Sequence, residues 1–273
     1  MRAMSLMLAI MLSCLALAGP VAADIKYVDA ANTGEQDGSP EHPFVTIGQA
    51  LAVRAGEIRV AEGNYPESIV VYPGLLLRGG YEAAGWTRDW RAYPAVIVGQ
   101  EQAAVSSEAD VAGNEISGFR ITGLAGVTAC GICLDGIAGD VLVVLNEIYG
   151  IIGPAGADGE YCDYTPEECA IDPEPAPAVF GIRLSGAAGT ILSNDIHDLS
   201  GGPGGMGGVW AWAMGHSDGG NGGAGGAAVG IEAAGVIQHN MIAGLTGGAG
   251  GLAADGFDDT GYGALAEVAE LAG

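Results

Sequence analysis

Apolar and polar residues alternate in short runs along most of the chain, and one such run recurs. Four segments share an asparagine followed two positions later by isoleucine: NEISGFRITGL from Asn114, NEIYGIIGP from Asn146, NDIHDLSGG from Asn194 and NMIAGLTGG from Asn240. A period of two is typical of a strand with one buried face. The recurrence therefore predicts short strands in repeated units, with few helices between them.

A second matching segment precedes each of the last three asparagines. These segments are GICLDGIAGDVLVVLNEI, GIRLSGAAGTILSNDI and GIEAAGVIQHNMI, and successive asparagines lie 32, 48 and 46 residues apart. A constant core pattern at unequal spacing indicates the rungs of a solenoid, each packing on the next, with loops of variable length. We expect the asparagines to bond along the stack and to adopt the left-handed backbone of a sharp corner.

The N-terminal part differs from these repeats. Residues 24–100 are predicted to form a cap and the first rungs, including a short helix within TIGQALAVRA for which Thr46 is the N-cap. Residues 101–273 are predicted to be rungs with two insertions, 153–178 and 201–228. The chain ends as though another rung were starting, so we expect either a truncated chain or an uncovered last rung.

Three N-terminal segments carry a family resemblance: YVDAANTGEQDGSPEHPFVTIGQAL, IRVAEGNYPE and LRGGYEAAGWTRDW. Together they resemble the opening of secreted bacterial proteins of the pectin lyase-like superfamily, over roughly residues 25–100. The resemblance implies an all-β fold, a right-handed parallel β-helix (solenoid) with a short N-terminal capping helix. It implies no single activity, because this fold hosts lyases, hydrolases and adhesins.

The first residues have the features of a secretory signal peptide. Arg2 precedes an apolar run, and small residues at Val21 and Ala23 predict cleavage after Ala23, which makes residues 1–23 the signal peptide. The alternative is a lipid anchor at Cys14. No later apolar run is long enough to span a membrane, so we expect a secreted or cell-surface protein without a membrane span in the mature chain.

The chain is strongly acidic, with a net charge of −24. Cleavage after Ala23 would leave 8 basic and 33 acidic groups, a net charge of −25 (8 − 33). Such a surface repels nucleic acid, so no nucleic-acid partner is expected. It is compatible with simple solubility, with bound cations, or with neutral polysaccharide or cell-surface partners.

Four cysteines remain after the predicted cleavage, an even number that suggests disulfides in a secreted chain. The preferred pairs are Cys162 with Cys169, which would close CDYTPEEC, and Cys130 with Cys133 in CGIC. A zinc site is the alternative for the second pair, although the spacing of the first pair does not match it. A thioredoxin-like site is disfavoured because no βαβ pattern surrounds CGIC.

Four residues on adjacent rungs are the candidate catalytic group: Glu147, Asp195, His197 and Asp198. Paired carboxylates are what glycosidases use. Against this, Met241 occupies the position equivalent to Glu147 and Asp195, so that position does not require a carboxylate. The resemblance would also imply an Arg-x-Lys segment in polygalacturonase-like members, and the only lysine here is Lys26.

Two further candidate sites lie in glycine-rich stretches. Asp255, Asp258 and Asp259 offer oxygen ligands that suit calcium. Trp210 and Trp212 share one face of VWAWAM, where they could stack on a sugar or hold the 201–228 insertion against the rungs. That insertion is expected to be either a flexible excursion or a glycine-dense loop held in this way.

The sequence thus predicts a scaffold without catalysis that presents loops to glycans, cations or proteins, with calcium as the candidate cofactor. The alternative is a polysaccharide lyase or glycoside hydrolase. Asn194 and Ile196 repeat in other rungs, whereas His197 and Asp198 are peculiar to theirs. A function beyond architecture in this segment would therefore lie in those two residues.

Overall fold

The computed structural model describes residues 24–163, 173–211, 217–219 and 221–253, and these residues are nearly all β. Within these ranges the chain forms a single helix, α1 (Ile47–Ala52), and four sheets. The first sheet contains, in spatial order, β1 (Ile25–Val28), β2 (Glu57–Ala61), β5 (Leu76–Tyr81), β8 (Asn114–Ser117), β11 (Val141–Val144), β15 (Gly189–Leu192) and β20 (Gly235–Gln238). The second sheet contains β3 (Gly63–Tyr65), β6 (Ala95–Gly99), β9 (Phe119–Gly123), β12 (Glu147–Tyr149), β16 (Asp195–His197) and β21 (Met241–Ala243).

The third sheet contains β4 (Ile69–Val71), β7 (Ala103–Ser107), β10 (Cys130–Ile137), β14 (Val179–Gly186) and β19 (Ala228–Glu232). A small fourth sheet contains β13 (Tyr161–Asp163), β17 (Val209–Ala211) and β18 (Ser217–Gly219). From β2 to β21 the chain visits the first, second and third sheets in turn, and each passage through them is one rung. All pairs in these three sheets are parallel, which is consistent with a parallel β-helix.

The core consists of side chains stacked in register from rung to rung. Branched aliphatic residues fill the three inner faces because they suit a pleated, buried surface. Fully buried stacks are Ile116, Val143 and Ile191 in the first sheet, Ile121, Ile148 and Ile196 in the second, and Val105, Ile132 and Ile182 in the third. The predicted alternation within each rung is therefore confirmed.

Asparagines form a ladder at the corner between the first and second sheets, and Asn146 and Asn194 are buried there. Asn146, Asn194 and Asn240 are linked through their side chains, as the repeat predicted. The prediction that the segment from Asn114 is equivalent to the other three was wrong. Asn114 begins β8 and pairs with Val141 in the first sheet, so its segment lies one sheet earlier than the others.

The left-handed residue at this corner is the one before the asparagine, and this corrects the expectation that the asparagine adopts it. Leu145, Ser193 and His239 have φ angles of 59°, 52° and 56°. In the rung below them Gly118 takes the same position, with φ 74°. The asparagine side chain instead satisfies the backbone groups that the sharp bend leaves unpaired.

Helix α1 begins where the sequence predicted. Thr46 is its N-cap, and Thr46 and Gln49 exchange the reciprocal bonds of a capping box. Ile47 and Ala50 are buried, while Glu67 accepts hydrogen bonds from the backbone of Ile47 and Gly48, both at 2.8 Å. The helix packs on β1, β2 and β4, so it covers the first rung.

The two insertions pack beside the rungs as one assembly, named here the glycine bundle. It consists of residues 153–160, 173–178, 201–208, 221–227 and 247–253. Backbone N–H groups at every third residue donate to the next segment: Gly153 to Ser200, Gly156 to Pro203, Gly159 to Met206, Gly201 to Thr246, Gly204 to Ala249 and Gly207 to Leu252. Glycines in these segments carry no positive φ angle. A three-residue period with bonds only between segments is characteristic of packed polyproline II helices.

Close backbone contact explains why the bundle needs glycine. A Cβ atom at Gly202 would overlap the carbonyl of Pro154, and one at Gly201 would overlap the carbonyl of Gly226. Every third residue points outward instead, so Pro203 and Met206 are exposed. The 201–228 insertion was expected to be either a flexible excursion or a glycine-dense loop held against the rungs. Its described parts fit the second expectation, and backbone hydrogen bonds hold them in place.

Cys130 and Cys133 form a disulfide on β10, as predicted. The backbone of Cys162 lies in β13, and Cys169 lies outside the described residues. The predicted signal peptide, with Cys14, also lies outside them. In the part of the chain that the structure describes, no helix is long and apolar enough to cross a membrane.

Candidate functional site

The outer face of the second sheet carries a row of polar side chains in register. Arg120, Glu147, Asp195 and Met241 occupy equivalent positions on β9, β12, β16 and β21. Each alternates with an inward isoleucine, so the four side chains point outward. The predicted equivalence of Glu147, Asp195 and Met241 is confirmed, and Arg120 extends the row by one rung.

A second outward row lies two residues further along the same strands. Tyr149 and His197 are register partners, and their rings stack with centroids 5.7 Å apart and 15° between the planes. The His197 ring lies between two carboxylates: Nδ1 is 2.9 Å from Asp198 Oδ2, and Nε2 is 3.4 Å from Glu147 Oε1. The structure thus brings together all four predicted candidates, Glu147, Asp195, His197 and Asp198.

These carboxylates change the protonation of His197. The hydrogen bond to Asp198 raises the pKa of the imidazole above 6.5; burial opposes this, and Glu147 and Asp195 add to the increase. A charged imidazolium can donate to both flanking carboxylates, whereas a neutral ring can donate to one. The geometry therefore favours the protonated form.

Two buried polar atoms of the first row lack hydrogen bonds. Arg120 Nε lies 2.8 Å from Glu147 Oε2 and forms an ion pair, but the angle lies outside hydrogen-bond geometry. Asp195 Oδ1 is also buried without a hydrogen-bond partner. A buried group without any partner, such as Asp195 Oδ1, costs about 1–3 kcal/mol, so this part of the surface is not arranged for maximal stability.

These side chains border a cleft of about 520 Å³. Trp90 and Arg91 form one wall, with the Arg91 guanidinium 4.3 Å from the Trp90 ring centre. Arg120, Glu147 and Asp195 contribute to its lining, together with the corner residues before the asparagines. An apolar ring beside groups that donate and accept hydrogen bonds suits a polar, uncharged ligand such as a sugar.

Sequence reasoning missed Arg120 and Trp90. The signal for Arg120 was hidden because the repeat was aligned on Asn114, which placed Glu115 where Arg120 belongs. Trp90 lies in the connection between β5 and β6, outside the repeated asparagine segments. Aligning the left-handed corners on Gly118 would have found Arg120.

A second cleft, of about 430 Å³, lies on the outer face of the third sheet. The Cys130–Cys133 disulfide lines it, and in the next rung Phe180 and Arg183 occupy the register positions of the two cysteines. The Arg183 guanidinium lies 5.2 Å from the Phe180 ring centre and 3.4 Å from Asp135 Oδ2. These groups satisfy one another, so this cleft presents fewer unpaired groups than the first.

The remaining predicted sites are not described. Asp255, Asp258 and Asp259 lie outside the described residues, as does Trp212; for Trp210 only the backbone is described, in β17. Among the described residues no group of three or more His, Cys, Asp or Glu side chains could hold a metal ion. The calcium and tryptophan predictions therefore stay predictions.

Comparison of the chain with family models, curated proteins and solved structures finds no match. Function must therefore be inferred from the geometry of the site. The cleft on the second sheet is the stronger candidate, because two predicted residues, Glu147 and Asp195, coincide there with the aromatic wall of Trp90 and with buried polar atoms that lack hydrogen bonds.

Proposed function

We propose that this chain is a secreted or cell-surface protein with a right-handed parallel β-helix fold of the pectin lyase-like kind. In this proposal it binds a neutral glycan in the cleft on the second sheet and does not cleave it. The cyclic order of the three parallel sheets and the helix over the first rung support the fold. The chain has 9 basic and 33 acidic residues and a net charge of −24, which supports a ligand that is not a polyanion.

One observation carries the binding proposal: unfavourable local features concentrate around this cleft. Arg120 Nε and Asp195 Oδ1 are buried without hydrogen bonds, and the adjacent Asp198 has a left-handed backbone, with φ 55°. Natural proteins keep such features where function requires them and compensate elsewhere.

The charges around the cleft favour a neutral ligand. Arg120 is paired with Glu147, and His197 with Asp198, while the Arg91 guanidinium lies over the Trp90 ring. The carboxylates of Glu147 and Asp195 in the lining oppose the binding of a carboxylate or sulfate group. Hydroxyl groups both donate and accept, so they can bond to the carboxylates and the guanidinium alike. The Trp90 ring offers a surface for the apolar face of a pyranose.

The test is glycan binding by the mature protein, residues 24–273. We expect binding to neutral oligosaccharides and none to polygalacturonate, measured on a glycan array and then by calorimetry. Glu147→Gln and Asp195→Asn should each weaken binding at least tenfold. Glu232→Gln, an exposed position on the third sheet, is the matched control and should bind like wild type. Wild-type protein that binds no glycan would refute the proposal.

A glycoside hydrolase is the second candidate, because Glu147 and Asp195 are direct register partners. Neighbouring strands lie about 4.8 Å apart, which is near the separation of the carboxylates in retaining glycosidases. Release of new reducing ends from any glycan that binds would favour this candidate. The release should then be lost in both Glu147→Gln and Asp195→Asn.

A further inference from the structure

Asp198 occupies a backbone position that neighbouring rungs fill with glycine. Its register equivalents are Gly150 below and Gly244 above, with φ angles of 63° and 61°. Asp198 itself has φ 55°. A side chain at such a φ is disfavoured for L-residues, although aspartate tolerates it better than most. Glycine would therefore satisfy this corner at lower cost, and the aspartate needs another explanation.

The carboxylate of Asp198 does not serve the corner. It makes no backbone hydrogen bond among the described residues and is largely exposed, with Oδ2 2.9 Å from His197 Nδ1. Its contribution to folding through this exposed contact is small. Its effect on the imidazole is direct, because it fixes which ring nitrogen faces it.

The other imidazole nitrogen then faces the cleft side. His197 Nε2 lies 3.4 Å from Glu147 Oε1, and the other oxygen of Glu147 lies 2.8 Å from Arg120 Nε. Glu147 is therefore held between two cationic groups, and its orientation depends on both. Tyr149 stacks on the imidazole and limits rotation of the ring.

We propose that Asp198 is a positioning residue for the glycan cleft. It holds the His197 ring against Glu147, and so sets the orientation of a carboxylate that contacts the ligand. Its carboxylate is retained despite the backbone cost. This inference rests on the proposed glycan-binding function, but its effect on His197 can be measured without a ligand.

The groups around His197 define what a pH experiment reports. Asp198 and Asp195 lie on the same segment as the ring, and Glu147 and Tyr149 lie on the neighbouring strand β12. Arg120 acts through Glu147. Removing Asp198 leaves all the others in place, so a change in the titration of His197 can be assigned to that carboxylate.

The experiment compares Asp198→Gly and Asp198→Asn in the mature protein. Asp110→Gly is the matched control, because Asp110 is also exposed and left-handed, with φ 60°, but is not among the groups facing His197. NMR titration of the imidazole gives the pKa and the tautomer, thermal unfolding gives Tm, and calorimetry gives affinity for the glycan identified on the array.

In Asp198→Gly we expect the pKa of His197 to fall toward 6.5 and glycan affinity to drop at least fivefold. Tm should stay the same or rise by about 1–4 °C, because glycine relieves the left-handed strain. Asp198→Asn keeps a hydrogen-bond acceptor without the charge, so it should lie between wild type and glycine. Asp110→Gly should change neither the pKa nor the affinity.

Each contrary result has a distinct meaning. An unchanged His197 pKa in Asp198→Gly would overturn the positioning role. A large fall in Tm in that variant would show that Asp198 has a structural role. A lowered pKa of His197 with unchanged glycan affinity would show that Asp198 does not affect binding in the cleft. If wild type binds no glycan, the proposed function fails, and the pKa comparison still decides whether Asp198 positions His197.

Discussion

Asn194 accepts two hydrogen bonds from Asn146 through one side-chain oxygen. The backbone N–H of Asn146 lies 3.0 Å from Asn194 Oδ1, and the side-chain Nδ2 of Asn146 lies 3.1 Å from the same atom. Asn240 repeats this pattern toward Asn194, at 2.9 and 3.0 Å. Each asparagine therefore satisfies the corner of the rung before it, and the ladder holds the rungs in register.

The first prediction concerns this ladder. Asn194→Ala leaves the backbone N–H of Asn146 without its partner in the buried corner and removes the side-chain hydrogen bond to the carbonyl of Val143. We expect a loss of about 2–4 kcal/mol in the free energy of unfolding, from about 1–3 kcal/mol for the stranded N–H and about 1 kcal/mol for the lost hydrogen bond. Denaturant unfolding followed by circular dichroism measures this loss.

Asn64→Ala is the control for the ladder. Asn64 lies on β3 of the second sheet, and its side chain is exposed. We expect a change within about 0.5 kcal/mol, as for other surface positions. If Asn194→Ala and Asn64→Ala have the same effect, the ladder does not stabilise the stack.

The second prediction concerns the glycine bundle. Gly202→Ala forces the backbone away from the carbonyl of Pro154, and no flexible side chain is available to move instead. We expect a loss of about 3 kcal/mol, at the upper end for overpacked sites. Amide hydrogen exchange should become faster at Gly201 and Gly204, whose N–H groups bond to the next segment.

Gly250→Ala is the matched change within the same bundle. A Cβ atom there would meet its nearest neighbour, the carbonyl of Gly223, at 3.8 Å, which is an ordinary contact. Its exchange rates and stability should therefore stay close to wild type. Equal effects of Gly202→Ala and Gly250→Ala would contradict the close packing described for the bundle.

The repeat pattern predicted the strands and the asparagine ladder because both depend on local signals. Inward isoleucines at a period of two identify a buried strand face. The Asn114 segment has the same local pattern in a different sheet, since Ile116 also points inward. Only the pairing between rungs, which depends on distant residues, distinguishes Asn114 from Asn146.

The glycine bundle could not be recognised from alternation. A polyproline II segment has a period of three, and in the segment 201–208 two of three positions contact neighbouring backbones and require glycine, as at Gly201 and Gly202. The remaining position, such as Pro203 or Met206, is exposed and tolerates almost any side chain. A search for glycine pairs every three residues would have predicted the packing.

The third prediction concerns the Cys130–Cys133 disulfide. Peptide mapping without reduction should recover the two cysteines linked to each other. Because the bridge closes a four-residue loop, its reduction should lower the free energy of unfolding by only about 2 kcal/mol in the chain-entropy model. The measurement should use a Cys162→Ser/Cys169→Ser background, so that only this bridge responds. Free thiols at both positions in the unreduced protein would contradict the assignment.

The last prediction concerns an ion-pair network on the outer face of the first sheet. Arg78 binds Glu115 with two hydrogen bonds, of 2.6 and 3.0 Å, and its Nη1 lies 3.4 Å from Glu57 Oε1. Burial raises the pKa of Glu115, but hydrogen bonds from Arg78 and Ser117 outweigh it, so the pKa lies below 4.5. Arg78→Met would leave the partly buried Glu115 carboxylate without its arginine partner, while Glu57 keeps Arg59 at 2.8 Å.

We expect Arg78→Met to lose about 3 kcal/mol at neutral pH, because breaking such a pair strands buried charge. A carboxyl whose folded pKa is lowered stabilises the protein above its unfolded pKa and loses that contribution as pH falls through the folded pKa. The difference between wild type and Arg78→Met should therefore shrink below about pH 4.5. Arg54→Met is the control: the Arg54–Glu108 pair is exposed and should contribute under about 0.5 kcal/mol. A difference for Arg78→Met that is no larger than the control, or that grows on acidification, would contradict the assignment.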